Sequence, residues 1–203
     1  AAMGLDNSEV TGGIDAFALG IYSVNPDAEV YVKVTNSWYD PKAEEEAARK
    51  LLDMNCDVIA QHCDTVYPQT LAQQKGVYSI GYNSDMSKEA PEACLCSVIW
   101  NWSAYYTSAV QSVIDGTWDG SNYYGGMNEN LVSITPIADF AAAATKEKVN
   151  MAKQQILSGK NGVFDGVIET NTGAEVGTAG KTLEDSVITG GINWYFKTVK
   201  VIE

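Results

Sequence analysis

The sequence predicts an α/β fold in which a parallel sheet carries helices on both faces, giving three layers. Three observations predict it. Short β-branched runs alternate with longer stretches of helical periodicity between Ile14 and Asp115, the pattern of right-handed β-α-β crossovers. Residues that open and close helices stand where this alternation needs them: Pro41 in a first turn, Gly76 and Gly116 just past helix ends. With 203 residues and 45% hydrophobic content, the chain can also bury one sizeable core.

In chain order, Ala1 to Leu5 looks like the last part of a buried strand, so the chain is expected to begin inside a larger protein. Ile14, Phe17, Ala18 and Ile21 recur at three- and four-residue spacings and predict a first crossover helix over Ile14 to Tyr22. A strand follows at Glu29 to Thr35, then a helix opened by Asp40-Pro41 and running from Lys42 to Met54. The unit repeats with a strand at Asp57 to Gln61, a helix at Pro68 to Lys75 and a strand at Val77 to Tyr82. Cys94 to Ile99 is the next strand, and Ser103 to Asp115 the next helix. Beyond Gly116 the pattern predicts a strand at Leu131 to Ile134 and a helix at Ala141 to Leu157, with Lys146, Lys148 and Lys153 on its exposed side. Gly162 to Gly191, rich in glycine and threonine, reads as hairpins or loops. Trp194 to Ile202 supplies a last amphipathic stretch.

Composition excludes several functions. The 26 acidic residues against 13 basic ones leave a net charge of -13, which repels phosphate backbones and anionic lipid. Nucleic acid is therefore not an expected partner. No segment approaches the roughly 20 unbroken apolar residues of a membrane span. The first residues lack the basic start and apolar run of a signal peptide, so any targeting segment is expected upstream of Ala1. The four cysteines are Cys56, Cys63, Cys94 and Cys96. In a regular strand Cys94 and Cys96 share a face about 7 Å apart, too far and too parallel for an easy disulfide, and read as small buried hydrophobes. With a single histidine in the chain, no zinc-ligand set forms. No metal and no cofactor are expected.

In a doubly wound sheet ligands bind outside the carboxyl ends of the strands. Those ends read Asn36-Ser37-Trp38-Tyr39-Asp40, Gln61-His62-Cys63-Asp64-Thr65, Tyr82-Asn83-Ser84-Asp85 and Trp100-Asn101-Trp102. Indoles to stack on, with amides and carboxylates to read edges, suit a flat polar ligand. Trp38 and Trp100 are expected at adjacent strand ends. The same residues can also be read as core rings and helix caps. Catalysis has less support. His62 and Cys63 are neighbours in sequence and so point to opposite faces of a strand. Gly177-x-x-Gly180-Lys181-Thr182 echoes a phosphate-binding loop, but Glu175 stands where the first glycine is needed. No two acidic residues are marked as an acid and base pair, and no catalytic residue is assigned.

At these strand ends the sequence resembles the basic membrane protein (BMP) family of ABC-transporter substrate-binding lipoproteins, also called the purine nucleoside receptor type. The resemblance is carried by Gly13-Ile14-Asp15-Ala16-Phe17, Val24-Asn25-Pro26, Asn36-Ser37-Trp38-Tyr39-Asp40-Pro41, Asp57-Val58-Ile59-Ala60-Gln61-His62, the run from Gly76 to Met86, Ile99-Trp100-Asn101-Trp102 and Asp115-Gly116-Thr117-Trp118. Together these cover about the first 130 residues.

The resemblance implies a type I periplasmic-binding-protein-like lobe, in a protein that closes two lobes on its ligand without a catalytic step. It implies that residues 1–100 are βα units of the C-terminal lobe, that 101–125 cross to the other lobe, and that 126–203 return to complete the first. It places Trp38 against a purine ring and Asp64 on the site wall; His62 and Asp85, at the same strand ends, are further candidate ligand-binding residues. It implies that Asn83 replaces an aspartate, and Trp100 a lysine, that grip ribose in nucleoside-binding members. The expected ligand is therefore a purine base or nucleoside, with a bare base favoured. The expected partner is an ABC transporter permease, and the expected location is extracytoplasmic, periplasmic or lipid-anchored at the outer face of the cytoplasmic membrane. Self-association of the chain, a second copy standing in for the other lobe, is a further expectation. The alternative reading is the effector domain of a regulator, binding a sugar or a nucleotide on the same architecture.

Overall fold

The computed structural model describes residues 1–203. Helix α1 spans Ser8–Val24, opened by Asn7, whose side chain accepts from the Val10 N–H. It begins six residues before the helix that the apolar spacing predicts. Packing is tight at Gly13, where a Cβ would press the His62 ring at 3.2 Å, whereas one on Gly12 would meet Ile192 at an ordinary 3.5 Å.

Strand β1 (Val30–Lys33) leads to α2 (Pro41–Asp53), where Asp40 accepts from the Lys42 and Ala43 N–H groups. Strand β2 (Val58–Ala60) leads to α3 (Tyr67–Lys75), which closes on Gly76 in the left-handed conformation, φ 71°. Strand β3 (Tyr78–Asn83) runs parallel to β2 and to β4 (Cys94–Trp100). Helix α4 is Ser103–Ile114, followed by β5 (Val132–Ile134) and α5 (Ala143–Leu157). The segment from Gly162 to Gly191, which reads as hairpins or loops, is a hairpin of β6 (Asp165–Glu169) and β7 (Glu175–Thr182) followed by a short helix α6 (Asp185–Gly190). Strand β8 (Val199–Ile202) closes the chain order.

The strands pair as β8–β1 and as β2–β3–β4–β5. Ala1 and Ala2 lie between the two groups. The Ala1 ammonium donates to the Lys33 carbonyl at 2.7 Å, the Thr35 N–H donates to the Ala1 carbonyl at 2.9 Å, and the Ala2 N–H donates to the His62 carbonyl at 3.2 Å. The first residues therefore join both groups into one layer. All pairings in it are parallel except β4–β5, which is antiparallel, so the wholly parallel sheet expected from sequence is mixed at this edge. Helix α1 covers one face, packing Val10, Ile14 and Ala18 on Val30, Val32, Val199 and Phe196. Helices α2 and α3 cover the other, with Ala48, Leu52, Leu71 and Ala72 around Ile59.

The face shared by Cys94 and Cys96 in a regular strand does not survive. The β3–β4 register pairs Ser79 with Cys94 but Ile80 with Cys96, and this bulge turns the two cysteines to opposite faces. All four cysteines are free. Gly81 sits beside it, where a Cβ would overlap Ser97 Oγ and press Met86 Cβ at 3.0 Å. We expect Gly81→Ala to destabilise the protein by about 1–3 kcal/mol, measured by urea unfolding, whereas Gly20→Ala, which meets nothing within 4 Å, lowers stability little or raises it.

Candidate functional site

The strand-end edge is built by short loops after β1, β2 and β3 and by the end of β4. After β1 the chain turns at Asn36, φ 56°, and presents Trp38, half-buried against the α1 core. The Trp38 carbonyl accepts the Asp64 N–H at 2.9 Å, which ties the first loop to the second. The Trp38 ring meets the His62 ring edge-on at 5.6 Å, and His62 meets Tyr82 edge-on at 4.4 Å. Trp100 stacks on Trp102 at 5.4 Å, and Trp102 stacks on Tyr106 of α4 at 5.8 Å. Trp38 and Trp100 are therefore not on adjacent strand ends. The ends of β2 and β3 lie between them, and His62 and Tyr82 fill that gap with rings.

The polar groups are set between these rings. Asn83 ends β3 in the left-handed region, φ 69°, a conformation asparagine tolerates better than most residues. Its Nδ2 donates to Asp64 Oδ1 at 3.2 Å. Asp85 takes no part in this arrangement. Its carboxylate accepts the Ser87 N–H at 3.0 Å within its own turn, and its hydrogen bonds to Ser87 hold it below the usual carboxylate range.

Burial sets the charge of the two central rings. It pushes the His62 imidazole down to about 4, so the ring is neutral at physiological pH. It pushes the Tyr82 phenol up to about 12, helped by the carboxylate of Glu9, while the facing Trp100 indole N–H acts the other way. The centre of the edge is thus a pair of neutral rings flanked by the carboxylates of Glu9 and Asp64. His62 and Cys63 point apart as expected: His62 turns to Gly13 of α1, and Cys63 to Thr35 Oγ1 at 3.6 Å.

Five of the six residues chosen from sequence, Trp38, His62, Asp64, Asn83 and Trp100, meet along this edge; Asp85 stands apart. Tyr82 and Trp102 stand in the strand-end runs read from the sequence but not among the six candidates, and Glu9 stands in neither. Tyr82 could be found from alternation, since it takes the opposite face of β3 to Asn83 and Gly81. Glu9 carries no signal of its own, because its place depends on a helix that starts at Ser8, before the apolar spacing begins at Ile14. No group of three or more His, Cys, Asp or Glu side chains could hold a metal ion. Behind the edge lies a cavity of about 30 Å³ lined in part by Thr35, Glu44, Gln61 and Cys63, which has room for water and not for a ligand.

A three-layer lobe with an open, aromatic strand-end edge is an architecture in which ligands bind outside the carboxyl ends of the strands. Two solved structures share this fold: a transcriptional activator of the comK gene from Bacillus halodurans, at TM-score 0.59 and 17% identity over 79% of this chain and 65% of that one, and an ABC transporter solute-binding protein from Conexibacter woesei, at TM-score 0.56 and 17% identity over 77% and 61%. The family model for PnrA-like ABC transporter substrate-binding proteins, Bmp, matches residues 1–163, and the chain belongs to that family. A purine-binding protein of Brucella abortus is 37% identical over 187 residues, 92% of this chain and 53% of the relative. A Haloferax volcanii protein whose name makes it a candidate glucose-binding component of an ABC transporter is 35% identical over 78% of this chain and 40% of its own length. The chain therefore spans about half or less of these relatives.

Asp15 and the half-buried His62 titrate in opposite senses. Asp15 is fully buried, accepts the Phe196 N–H at 2.7 Å, and leaves its second carboxylate oxygen without a partner. Burial raises it from 3.8 to about 7, so its contribution to stability is present at low pH and is lost as the pH rises through that window. His62 is lowered from 6.5 to about 4, so its contribution is present above 6.5 and is lost as the pH falls towards 4. Asp15→Asn keeps the Phe196 acceptor and is expected to raise the melting temperature most at alkaline pH. His62→Gln is expected to raise relative stability on the acid side. Melting curves across this range test both, and identical pH profiles in the three proteins would show that neither group is held as described.

Proposed function

We propose that this chain is the C-terminal lobe of an extracytoplasmic substrate-binding protein that captures a purine base between two lobes and delivers it to an ABC transporter permease, without a catalytic step. The observation that carries the reading is the aromatic row from Trp38 through His62 and Tyr82 to Trp100 and Trp102. It stands along a sheet edge where solute-binding folds take their ligands. Trp38 and Trp100 offer stacking faces. Asp64 and Asn83 are fixed to each other, which leaves the second carboxylate oxygen and the amide oxygen as acceptors for purine N–H groups. His62 is assigned to the wall of the site as a neutral ring. Asp85 is assigned to the rim, where its turn shapes the loop after β3. The name of the Brucella relative supports the purine.

The same features favour a base over a nucleoside. Asn83 and Trp100 stand where the family resemblance implies charged groups for ribose, and a charge-assisted hydrogen bond is worth about 1.5–3 kcal/mol. Helix α4 fits the crossing segment 101–125: none of its residues is buried, and Trp102, Tyr106, Val110, Val113 and Ile114 are exposed. The regulator reading has weaker support: a Bacillus subtilis transcriptional activator is 28% identical over 131 residues, 62% of this chain, against 37% over 92% for the purine-binding relative.

Calorimetric titration of the full-length protein is expected to find adenine, guanine or hypoxanthine bound at least as tightly as the matching nucleoside. A nucleoside advantage of about a hundredfold would overturn the choice of a base, because it requires the sugar contacts these substitutions remove. Trp38→Ala and Trp100→Ala should each weaken base binding about tenfold, as loss of a stacking face worth roughly 1–3 kcal/mol demands; unchanged affinity in both removes them from the site. The 203-residue chain alone is expected to fold but to bind no tighter than roughly 0.1 mM, because one face of the ligand stays in water. Light scattering on the same sample reports whether a second copy covers the open edge.

A further inference from the structure

On the sheet face opposite the aromatic row, one carboxylate joins the two loops that carry Trp38 and Asp64. Glu44 lies in the first turn of α2 and is 2% exposed. Its Oε2 accepts both the Thr65 N–H at 3.1 Å and the Thr65 Oγ1 hydroxyl at 2.6 Å, and its Oε1 accepts the Asp40 N–H at 3.2 Å. Asp40 ends the loop after β1, two residues from Trp38, and Thr65 lies in the loop after β2, one residue from Asp64. The network continues to the third strand. Gln61 Nε2 donates to the Thr65 carbonyl and to Gln69 Oε1, each at 2.7 Å, and Gln69 Nε2 donates to the Ile80 carbonyl at 3.0 Å.

An ordinary helix cap accounts for part of this. The Asp40 side chain already satisfies the Lys42 and Ala43 N–H groups at the start of α2. It does not account for the bonds to Thr65, which belong to a different loop. Burying a carboxylate among Ala47, Ala48, Ile59 and Pro68 is costly unless its acceptors are filled, and the donors that fill them come from the two ligand-edge loops. Movement of either loop would therefore leave part of a buried charge unpartnered. Threonine at 65 adds a hydroxyl donor beside its own N–H, so two of the three bonds depend on one residue.

We propose that Glu44, acting through Thr65, is a positioning residue for ligand binding: its buried carboxylate fixes the separation of Trp38 and Asp64 at the strand-end edge. Glu44 touches no part of the edge itself. The affinity arm of the test rests on the purine reading given above, while the structural arm does not.

The test uses the full-length protein and the variants Glu44→Gln, Thr65→Val and Thr65→Ser. Glutamine keeps one acceptor oxygen but presents an amide to whichever donor the other oxygen served. Valine at 65 removes only the hydroxyl, and serine restores it. In the ligand-free protein, amide hydrogen exchange at Asp40, Asp64 and Thr65 is expected to speed up at least about tenfold in Glu44→Gln and in Thr65→Val, with Val32 and Ile59 unchanged and Thr65→Ser close to the parent. Adenine titration is expected to weaken by at least about fivefold in the first two variants and not in Thr65→Ser. Unchanged exchange at the three amides in Thr65→Val overturns the proposal, even if Glu44→Gln fails to fold. Faster exchange with unchanged adenine affinity overturns the link to binding. If the parent protein binds no adenine, the purine reading fails by itself, and the exchange pattern still decides whether Glu44 holds the loops.

Discussion

Helix α1 lies against the sheet and against the α6 end of the chain, with Gly13 leaving room for the His62 ring. This placement lets Val10, Ile14 and Ala18 pack on the β1 and β8 side chains. It also brings the Asp15 carboxylate to the Phe196 N–H, a bond across 181 positions of sequence. Through it the end of the chain is held against α1, and β8 can add to β1 in parallel register from Val30↔Val199 to Lys33↔Ile202. The cost is a buried carboxylate with one oxygen unpaired. Burial then raises its proton affinity, and the protonated form is the one the core accepts.

The candidate site follows from the same packing. Residues two apart on a strand share a face, so His62, Tyr82 and Trp100 emerge on the α1 side of β2, β3 and β4. Helix α1 covers the β1 side of that face and reaches only as far as His62. Ile80, Cys96, Val98 and Trp100 are left partly exposed. The row of rings thus passes from a covered end at Trp38 to an open end at Trp102. Its central members are kept neutral by burial, and a neutral aromatic strip bordered by carboxylates suits a flat ligand rich in N–H groups.

Helices α4 and α5 bury no residue, although α4 carries Tyr106, Val110, Val113 and Ile114 and Trp102 stands just before it, all exposed. Apolar side chains in that density are normally covered by another structure. A lobe of a substrate-binding protein has two requirements that pull apart. On the proposed reading it needs a core firm enough to fix the ligand-edge loops, and an edge and helix α4 left open to a second lobe. Here the buried groups concentrate around α1, α2 and α3, while the open surfaces lie beyond β4.

The alternation of β and α units was legible because it is a local property. Asp40-Pro41 caps and opens α2, Gly76 ends α3 in the conformation only glycine adopts freely, and the aromatic and amide residues cluster at strand ends wherever the strands finally pair. Five of the six chosen residues meet for that reason. Partnerships across long stretches of chain were not legible. The pairing of β8 with β1, the reversal at β5, the bulge that parts Cys94 from Cys96, and the insertion of His62 and Tyr82 between Trp38 and Trp100 all depend on strand order. Spacing rules act over a turn of helix or a pair of strand residues, whereas strand order is decided by which apolar faces can be buried together once the whole chain collapses. The Glu44–Thr65 contact belongs to this second kind: a glutamate on a helix reads as a solvated face until the fold places two loops' donors over it.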